Sequence, residues 1–285
     1  MGSHVADELV LRGYKVVSFD LKPYAYSSAV ESITGDIRDK DSVLKAVKGA
    51  EYVYNFSGLA DLDSASTMAA ETAQVNIIGN INILEACHRH KVKKFLFAST
   101  IYVYSEKGGF YRCSKQACEI YIEEFRRKYG VNYTILRYGS LYGPRSTEAN
   151  IIYLLIKEAL TKKRITYQGS GQEVREYINV RDAARLSVDM LDKKYDNKYM
   201  IITGHNTLKV ENMLEMLKEM MGNNIVIEKN DKDADDAHYT MTPYSFQPKI
   251  GQKIVSNEYM DFGQGLLECI NEIYQELYHE KCRVG

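Results

Sequence analysis

Apolar residues recur along this chain in two alternating rhythms. Short continuous runs, Lys15 to Phe19, Val30 to Ile33, Tyr52 to Phe56, Phe95 to Ala98 and Tyr133 to Arg137, have the length and the β-branched or aromatic content of buried strands. Between them, apolar positions three and four residues apart predict amphipathic helices. One carries Val5, Leu9 and Leu11 ahead of Gly13. A second spans Asp41 to Val47 with Asp39 as its cap, and a third runs from Ser64 to His90 with Val75, Ile78, Ile81, Ile83, Leu84 and Cys87 facing the core. A fourth begins near Tyr111 and passes through Lys115, Ile122 and Phe125 to Tyr129. Further on, the pattern predicts a helix over Glu148 to Lys162, a strand over Tyr199 to Thr203, a helix over Val210 to Met221 with Met213, Met216, Met220 and Met221 as core filler, and a strand over Ile225 to Glu228. Tyr239 to Lys249 reads as a loop closing over a substrate, and Leu266 to Tyr278 as a final amphipathic helix.

The run at Phe95 breaks into hydroxyls at Ser99 and Thr100, and Gly108-Gly109 then lets the chain turn into the helix that holds Tyr111 and Lys115. Four residues apart, the phenol and the ammonium share a helix face. A phenol is a poor base at neutral pH because its ordinary pKa is about 10, and a fixed ammonium beside it favours the phenolate. That pairing makes Tyr111 a candidate proton acceptor, with Thr100 hydrogen-bonding the same substrate oxygen. In a chain with 23 tyrosines, Tyr-x-x-x-Lys by itself is usually an ordinary helix surface pair.

Composition narrows the classes. With 285 residues the chain can bury a full core, and 37 basic residues balance 38 acidic ones in a mixed pattern that predicts neither a nucleic-acid nor a membrane partner. Basic runs at His88 to Lys91 and Lys162 to Arg164 suit helix ends. Five cysteines without C-x-x-C pairing exclude a disulfide framework or zinc site, and Cys113 reads as packing. The acidic stretch Asn230 to Asp236 lacks the Gly and Glu of a calcium loop, so no metal is expected. With no signal-peptide core and no spanning stretch, the cytoplasm is the expected compartment.

Several motifs then fall in one order. Asp20 ends the second predicted element; Gly35-Asp36-Ile37 follows the next strand; Phe56-Ser57-Gly58 ends another. Val75-Asn76-Ile77-Ile78-Gly79 lies in the long helix, and Thr100, Tyr111 and Lys115 come next. Tyr138-Gly139-Ser140-Leu141-Tyr142-Gly143-Pro144-Arg145 and Gly169-Ser170-Gly171, then Arg175-Glu176-Tyr177-Ile178-Asn179-Val180-Arg181-Asp182, complete the series. Together they resemble the extended short-chain dehydrogenase/reductases, in the nucleotide-sugar epimerase/dehydratase group that includes UDP-glucose 4-epimerase-like members. The resemblance implies an α/β fold: a Rossmann-type doubly wound parallel sheet over residues 1–140 and a smaller C-terminal α/β substrate lobe over 141–285, with segments returning to the first domain. It implies NAD, held by Gly2, Asp20, Asp36, Ile37, Phe56, Ser57, Gly58, Asn76, Tyr111, Lys115 and Tyr138. An acidic Asp20 on the ribose hydroxyls favours NAD over its 2′-phosphorylated form. It implies a nucleotide-sugar substrate at Thr100, Ser140, Gly169 and Arg175, the last because a guanidinium offers a fork of donors to phosphate. A homodimer through the two long helices is the family habit. Asp182 reads as a cap for the helix after it.

Three departures accompany the match. Gly2 corresponds to the third glycine of the family's opening, so the first strand and two phosphate-loop glycines have no counterpart, and the expectation is a misplaced start or a truncation. The neighbours of that strand are expected to lack a ladder partner. Ser140 stands where an asparagine is usual, and the segment between Thr100 and Tyr111 is short. Ile101 and Tyr102 replace the Asp-Glu pair that the dehydratase subgroup uses, and Asp20 conflicts with an NADP-dependent reductase. The reading is therefore a 4-epimerase-type enzyme working through a transient keto sugar, with a catalytically weak NAD- or sugar-nucleotide-binding protein, or a dehydratase or reductase, as the alternatives.

Overall fold

A computed structural model describes residues 1–60, 67–205, 207–221 and 224–230. Its largest sheet is parallel, in the order β3 (Tyr52–Asn55), β4 (Lys94–Thr100), β5 (Tyr133–Tyr138), β9 (Lys198–Ile202). Strands β4 and β5 are almost wholly buried, which is why they read as continuous apolar runs: a parallel sheet is covered on both faces. Alternate side chains serve opposite layers. Phe95, Phe97 and Ile135 pack with Ile83, Leu84 and Cys87 of α4 (Gly79–Arg89), with Cys118 and Ile122 of α5 (Gly109–Tyr129), and with Val43 and Val47 of α2 (Lys40–Val47). Leu96, Leu136 and Tyr138 face Ala183 and Met190, and Ala184 and Val188 of α7 (Val180–Asp189) cluster with Val5 of α1 (Gly2–Leu11). This is the doubly wound arrangement expected.

Strands β1 (Val16–Asp20) and β2 (Val30–Thr34) form their own parallel pair, in register from Val16 opposite Val30 to Asp20 opposite Thr34. Among the described residues no ladder joins β1 to β3. Val17 is 44% exposed and β3 is only half-buried along most of its length, while β4 is almost closed to water.

The remaining strands make two smaller sheets. β8 (Val174–Asn179) lies between β10 (Thr207–Lys209) and β6 (Ser140–Tyr142), and β11 (Val226–Asn230) pairs in parallel with β7 (Arg164–Gln168). Leu155 and Ala159 of α6 (Ile151–Lys162), Val210, Met213 and Leu214 of α8 (Val210–Met220), and Ile165 and Ile225 form their core.

Four sequence expectations are corrected. The long third helix contains a π-helical segment, Ala73–Ile78, between α3 (Ala69–Thr72) and α4, and Ile78 is 42% exposed rather than core, because the wider turn rotates it out of phase. Met216 and Met220 lie on the wet face of α8, leaving Met213 and the partly buried Met221 to fill the core. Asp182 does not cap α7: β8 runs straight into the helix, Asn179 accepts the Arg181 amide, and Asp182 sits in the first turn beside Arg185. Cys113 is exposed, not packed. Asp39 does cap α2, accepting from the Asp41 and Ser42 amides. The acidic stretch beyond Asn230, the loop at 239–249 and the helix at 266–278 lie outside the described residues.

Candidate active site

The site forms where β3 and β4 end and α5 begins. Gly108 and Gly109 both take positive φ, a conformation that strains L side chains, and so turn the chain sharply into α5. The helix then presents Tyr111 on the side of Thr100, whose hydroxyl favours the ionised phenol. One turn on, Lys115 is buried; its ammonium donates to the Ala98 carbonyl at 2.8 Å, 4.7 Å from the Phe97 ring centre and 5.7 Å from that of Tyr111. Thr100, Tyr111 and Lys115 are thus brought together as the sequence predicts.

Their protonation differs from expectation. Burial pushes the Tyr111 phenol up to about 12, against the opposing Thr100 hydrogen bond, and it pushes the Lys115 ammonium down to about 8, against the opposing fields of Cys118 and Glu119. Desolvation outweighs the interactions that oppose it at both groups.

Behind the triad a floor is built from β3's exit. Gly58 has φ of +152°, and a Cβ there would stand 2.8 Å from the Asn76 side-chain oxygen and 3.7 Å from the Lys115 nitrogen. Asn76 is buried in the π-helical segment, not on a wet face. Its oxygen accepts from the Leu59 amide at 2.7 Å and its nitrogen donates to the Leu59 carbonyl and to Ser114 Oγ at 2.9 Å. The loop Phe56-Ser57-Gly58-Leu59 is therefore clamped against α5. Phe56 lies 3.5 Å from where a Cβ on Gly2 would be, and its ring tilts toward Tyr138 at 6.3 Å. Tyr138 turns its hydroxyl the other way, to Ser187 Oγ at 2.6 Å.

A second corner gathers at the ends of β1 and β2. Asp20 is exposed and accepts the Lys22 amide, while its carbonyl accepts from Gly35. Asp36, held below the usual carboxylate range by hydrogen bonds from Arg38, precedes the buried Ile37, which packs against Gly79. Ser140 pairs with Tyr177 in the three-stranded sheet; Gly169, φ +144°, follows β7; Arg175 is buried in β8. These three belong to the smaller sheets.

The sequence reading missed residues that brace the site. Ser114 bridges Asn76 and the Tyr111 carbonyl, Asn55 bonds Asn80, and Glu119 takes hydrogen bonds from Ser99 and Arg137. Buried polar side chains in a helix otherwise apolar on that face were the available signal for Glu119. Among the described residues no group of His, Cys, Asp or Glu could hold a metal, and no helix is long and apolar enough to cross a membrane.

A family model described as NAD dependent epimerase/dehydratase matches residues 1–202. A Methanocaldococcus jannaschii protein named a putative UDP-glucose 4-epimerase is 28% identical over 244 residues, 78% of this chain and 79% of that one. The Thermotoga maritima UDP-glucose 4-epimerase, solved with UDP-glucose, matches with a TM-score of 0.75 at 27% identity over 86% of each chain. A dTDP-glucose 4,6-dehydratase of Streptomyces niveus is 24% identical over 281 residues, 93% of this chain and 82% of that one.

Proposed function

We propose that this chain, which belongs to the NAD-dependent epimerase/dehydratase family, is a nucleotide-sugar epimerase of the 4-epimerase type. The residues suit NAD. Gly58 leaves room that a Cβ would fill, and Asn76 fixes the loop that would run beneath the cofactor. Asp20 would take the adenosine ribose hydroxyls, Asp36 and Ile37 the adenine, and the start of α1 at Gly2 the pyrophosphate. Phe56 and Ser57 would line the same floor, with Tyr138 beneath them and Tyr111 and Lys115 at the reactive end. NAD, when bound, supplies the acceptor and returning donor of the hydride that turns a sugar carbinol into a ketone and back.

The chain's own task is proton transfer and orientation. Tyr111 Oη takes the sugar hydroxyl proton, Thr100 holds the same oxygen, and Lys115 holds positive charge beside the phenolate that must form. Residues 1–140 would hold the cofactor, and the part from 141 the sugar nucleotide, through Gly169 and Arg175, with Ser140 contributing from the end of the first part. Dehydration is disfavoured, because Ile101 is buried and neither it nor Tyr102 offers a carboxyl. Exposed apolar side chains on α5, Ile120 at 66% and Tyr121 at 45%, support a homodimer through that helix.

The observation that carries this reading is the buried Lys115 ammonium, 5.7 Å from the Tyr111 ring centre and anchored on the Ala98 carbonyl at 2.8 Å, beside the end of β4 at Thr100. The test is incubation with NAD and, separately, UDP-glucose and dTDP-glucose, with products followed by proton NMR. A C4 epimer that forms with the wild type and not with Tyr111→Phe, while NAD binding is kept, supports it; a 4-keto-6-deoxy product assigns a dehydratase instead. A second reading, binding without turnover, is favoured by the raised Tyr111 phenol. It predicts ligand binding and no product.

A further inference from the structure

Beneath the triad lies a buried charged cluster to which the proton-transfer scheme gives no role. Glu119 continues the face of Tyr111 and Lys115, one turn further along α5, and is buried. Its Oε1 accepts from Ser99 Oγ at 2.6 Å and from Arg137 Nε at 3.0 Å, and its Oε2 accepts from Arg137 Nη2 at 2.6 Å. Arg137 stands opposite Ser99 in the β4–β5 register, so the carboxylate is fastened to two strands of the central sheet at once. The guanidinium lies between two aromatic rings, 4.6 Å from the centre of Tyr104 and 4.5 Å from that of Tyr199, and its Nη1 donates to the Tyr104 hydroxyl at 2.5 Å. Tyr104 ends the 3-10 turn Ile101–Tyr104 that leaves Thr100 and leads toward α5.

Each arm of this cluster reaches a part of the site. Ser99 is the neighbour of Thr100; Glu119 is one turn from Lys115; Tyr104 closes the turn between Thr100 and Tyr111. Fork-to-fork pairing fixes direction as well as distance, unlike a lysine point charge. We propose that Glu119 and Arg137 are positioning residues of the proton-transfer site: together they lock the rotation of α5 against β4 and β5 and the course of the Thr100–Tyr104 turn, and so hold the Lys115 ammonium in its place beside Tyr111. The proposal rests on the role given above to Thr100, Tyr111 and Lys115. A purely structural pair would hold the fold and leave the charge state of Lys115 untouched. Lys115 has few groups to balance it: the faces around it offer the Ala98 carbonyl, the Phe97 and Tyr111 rings, the Asn76 amide near Gly58, and the Cys118 thiol beside Glu119.

The test compares wild type, Glu119→Gln and Glu119→Gln/Arg137→Met, the double variant leaving no buried charge unpaired if the single one does not fold. The Lys115 side-chain nitrogen is titrated by NMR in the folded chain, with Lys115→Met used to assign its signal. Removing the carboxylate is expected to lower the Lys115 midpoint by half a pH unit or more, and to lower kcat at least tenfold with KM for the sugar nucleotide within threefold. The alkaline limb of the rate profile is expected to move to lower pH with it. A Lys115 midpoint within 0.2 units of wild type in whichever variant folds overturns the proposal. A wild type that binds NAD and turns over no sugar nucleotide sinks the epimerase reading instead, and the titration still judges whether Glu119 and Arg137 position Lys115.

Discussion

Tyr111 and Lys115 show how burial decides chemistry at the scale of single residues. An unfolded lysine has a pKa near 10.5, and burial pushes the Lys115 ammonium down to about 8. Between those values the unfolded chain binds the additional proton, so stability rises with pH across that window, and below about 8 the cost of the buried ammonium is felt in full. Lys115→Met removes the titrating group. The difference in stability between wild type and variant is therefore expected to climb in favour of wild type by about 3 kcal/mol from pH 8 toward 10.5, read by urea unfolding at several pH values; a difference that stays flat would falsify the assigned charge state. Tyr111, raised to about 12, works in the opposite sense: its contribution is present below pH 10 and fades as pH rises further. Gly58→Ala places a Cβ against the Asn76 oxygen at a φ of +152°. It is expected to destabilise the chain by roughly 1–3 kcal/mol and to weaken NAD binding at least tenfold, measured by calorimetry. The sequence already marked Gly58, Tyr111 and Lys115 by type and spacing. It carried no sign of the protonation reversal, because desolvation depends on neighbours from three different elements.

Elements here are held in phase by polar side chains more than by their apolar stripes. Helix α5 touches β4 through Lys115 and Ala98, β5 through Glu119 and Arg137, and the π-helical segment through Ser114 and Asn76. Breaking one partner of a buried ion pair leaves the other charge unsatisfied, so Arg137→Met is expected to cost about 3–5 kcal/mol, visible as a lower midpoint in chemical denaturation. Glu119→Gln with Arg137→Met is expected to recover most of that loss. Helical periodicity located α5 and its ends, since Gly108 and Gly130 punctuate it in sequence and both take positive φ. The π turn at Ala73–Ile78 was invisible to the same method: one widened turn shifts the phase of everything after it, and only packing against α5 shows that Asn76 has been turned inward.

Across the whole molecule the consequential feature is the separation of the β1–β2 pair from the four-stranded sheet. Both facing edges carry apolar side chains that are only partly covered, Val17 on one side and Tyr54 on the other, with Tyr14 and Tyr52 meeting edge to face at 6.4 Å near their starts. Sequence alone determined the order of strands and helices, the family, the hydroxyl-ended strand and the phenol–ammonium pair, because these rest on short-range periodicity and on residue types at fixed spacing. Tertiary structure alone decided which polar groups are dry, that Asn179 rather than Asp182 starts α7, that Met216 and Met220 face water, and that Glu119 meets Arg137. Those outcomes depend on contacts between segments far apart in the chain, and local pattern carries no information about which distant side chain will complete a hydrogen bond or exclude the water.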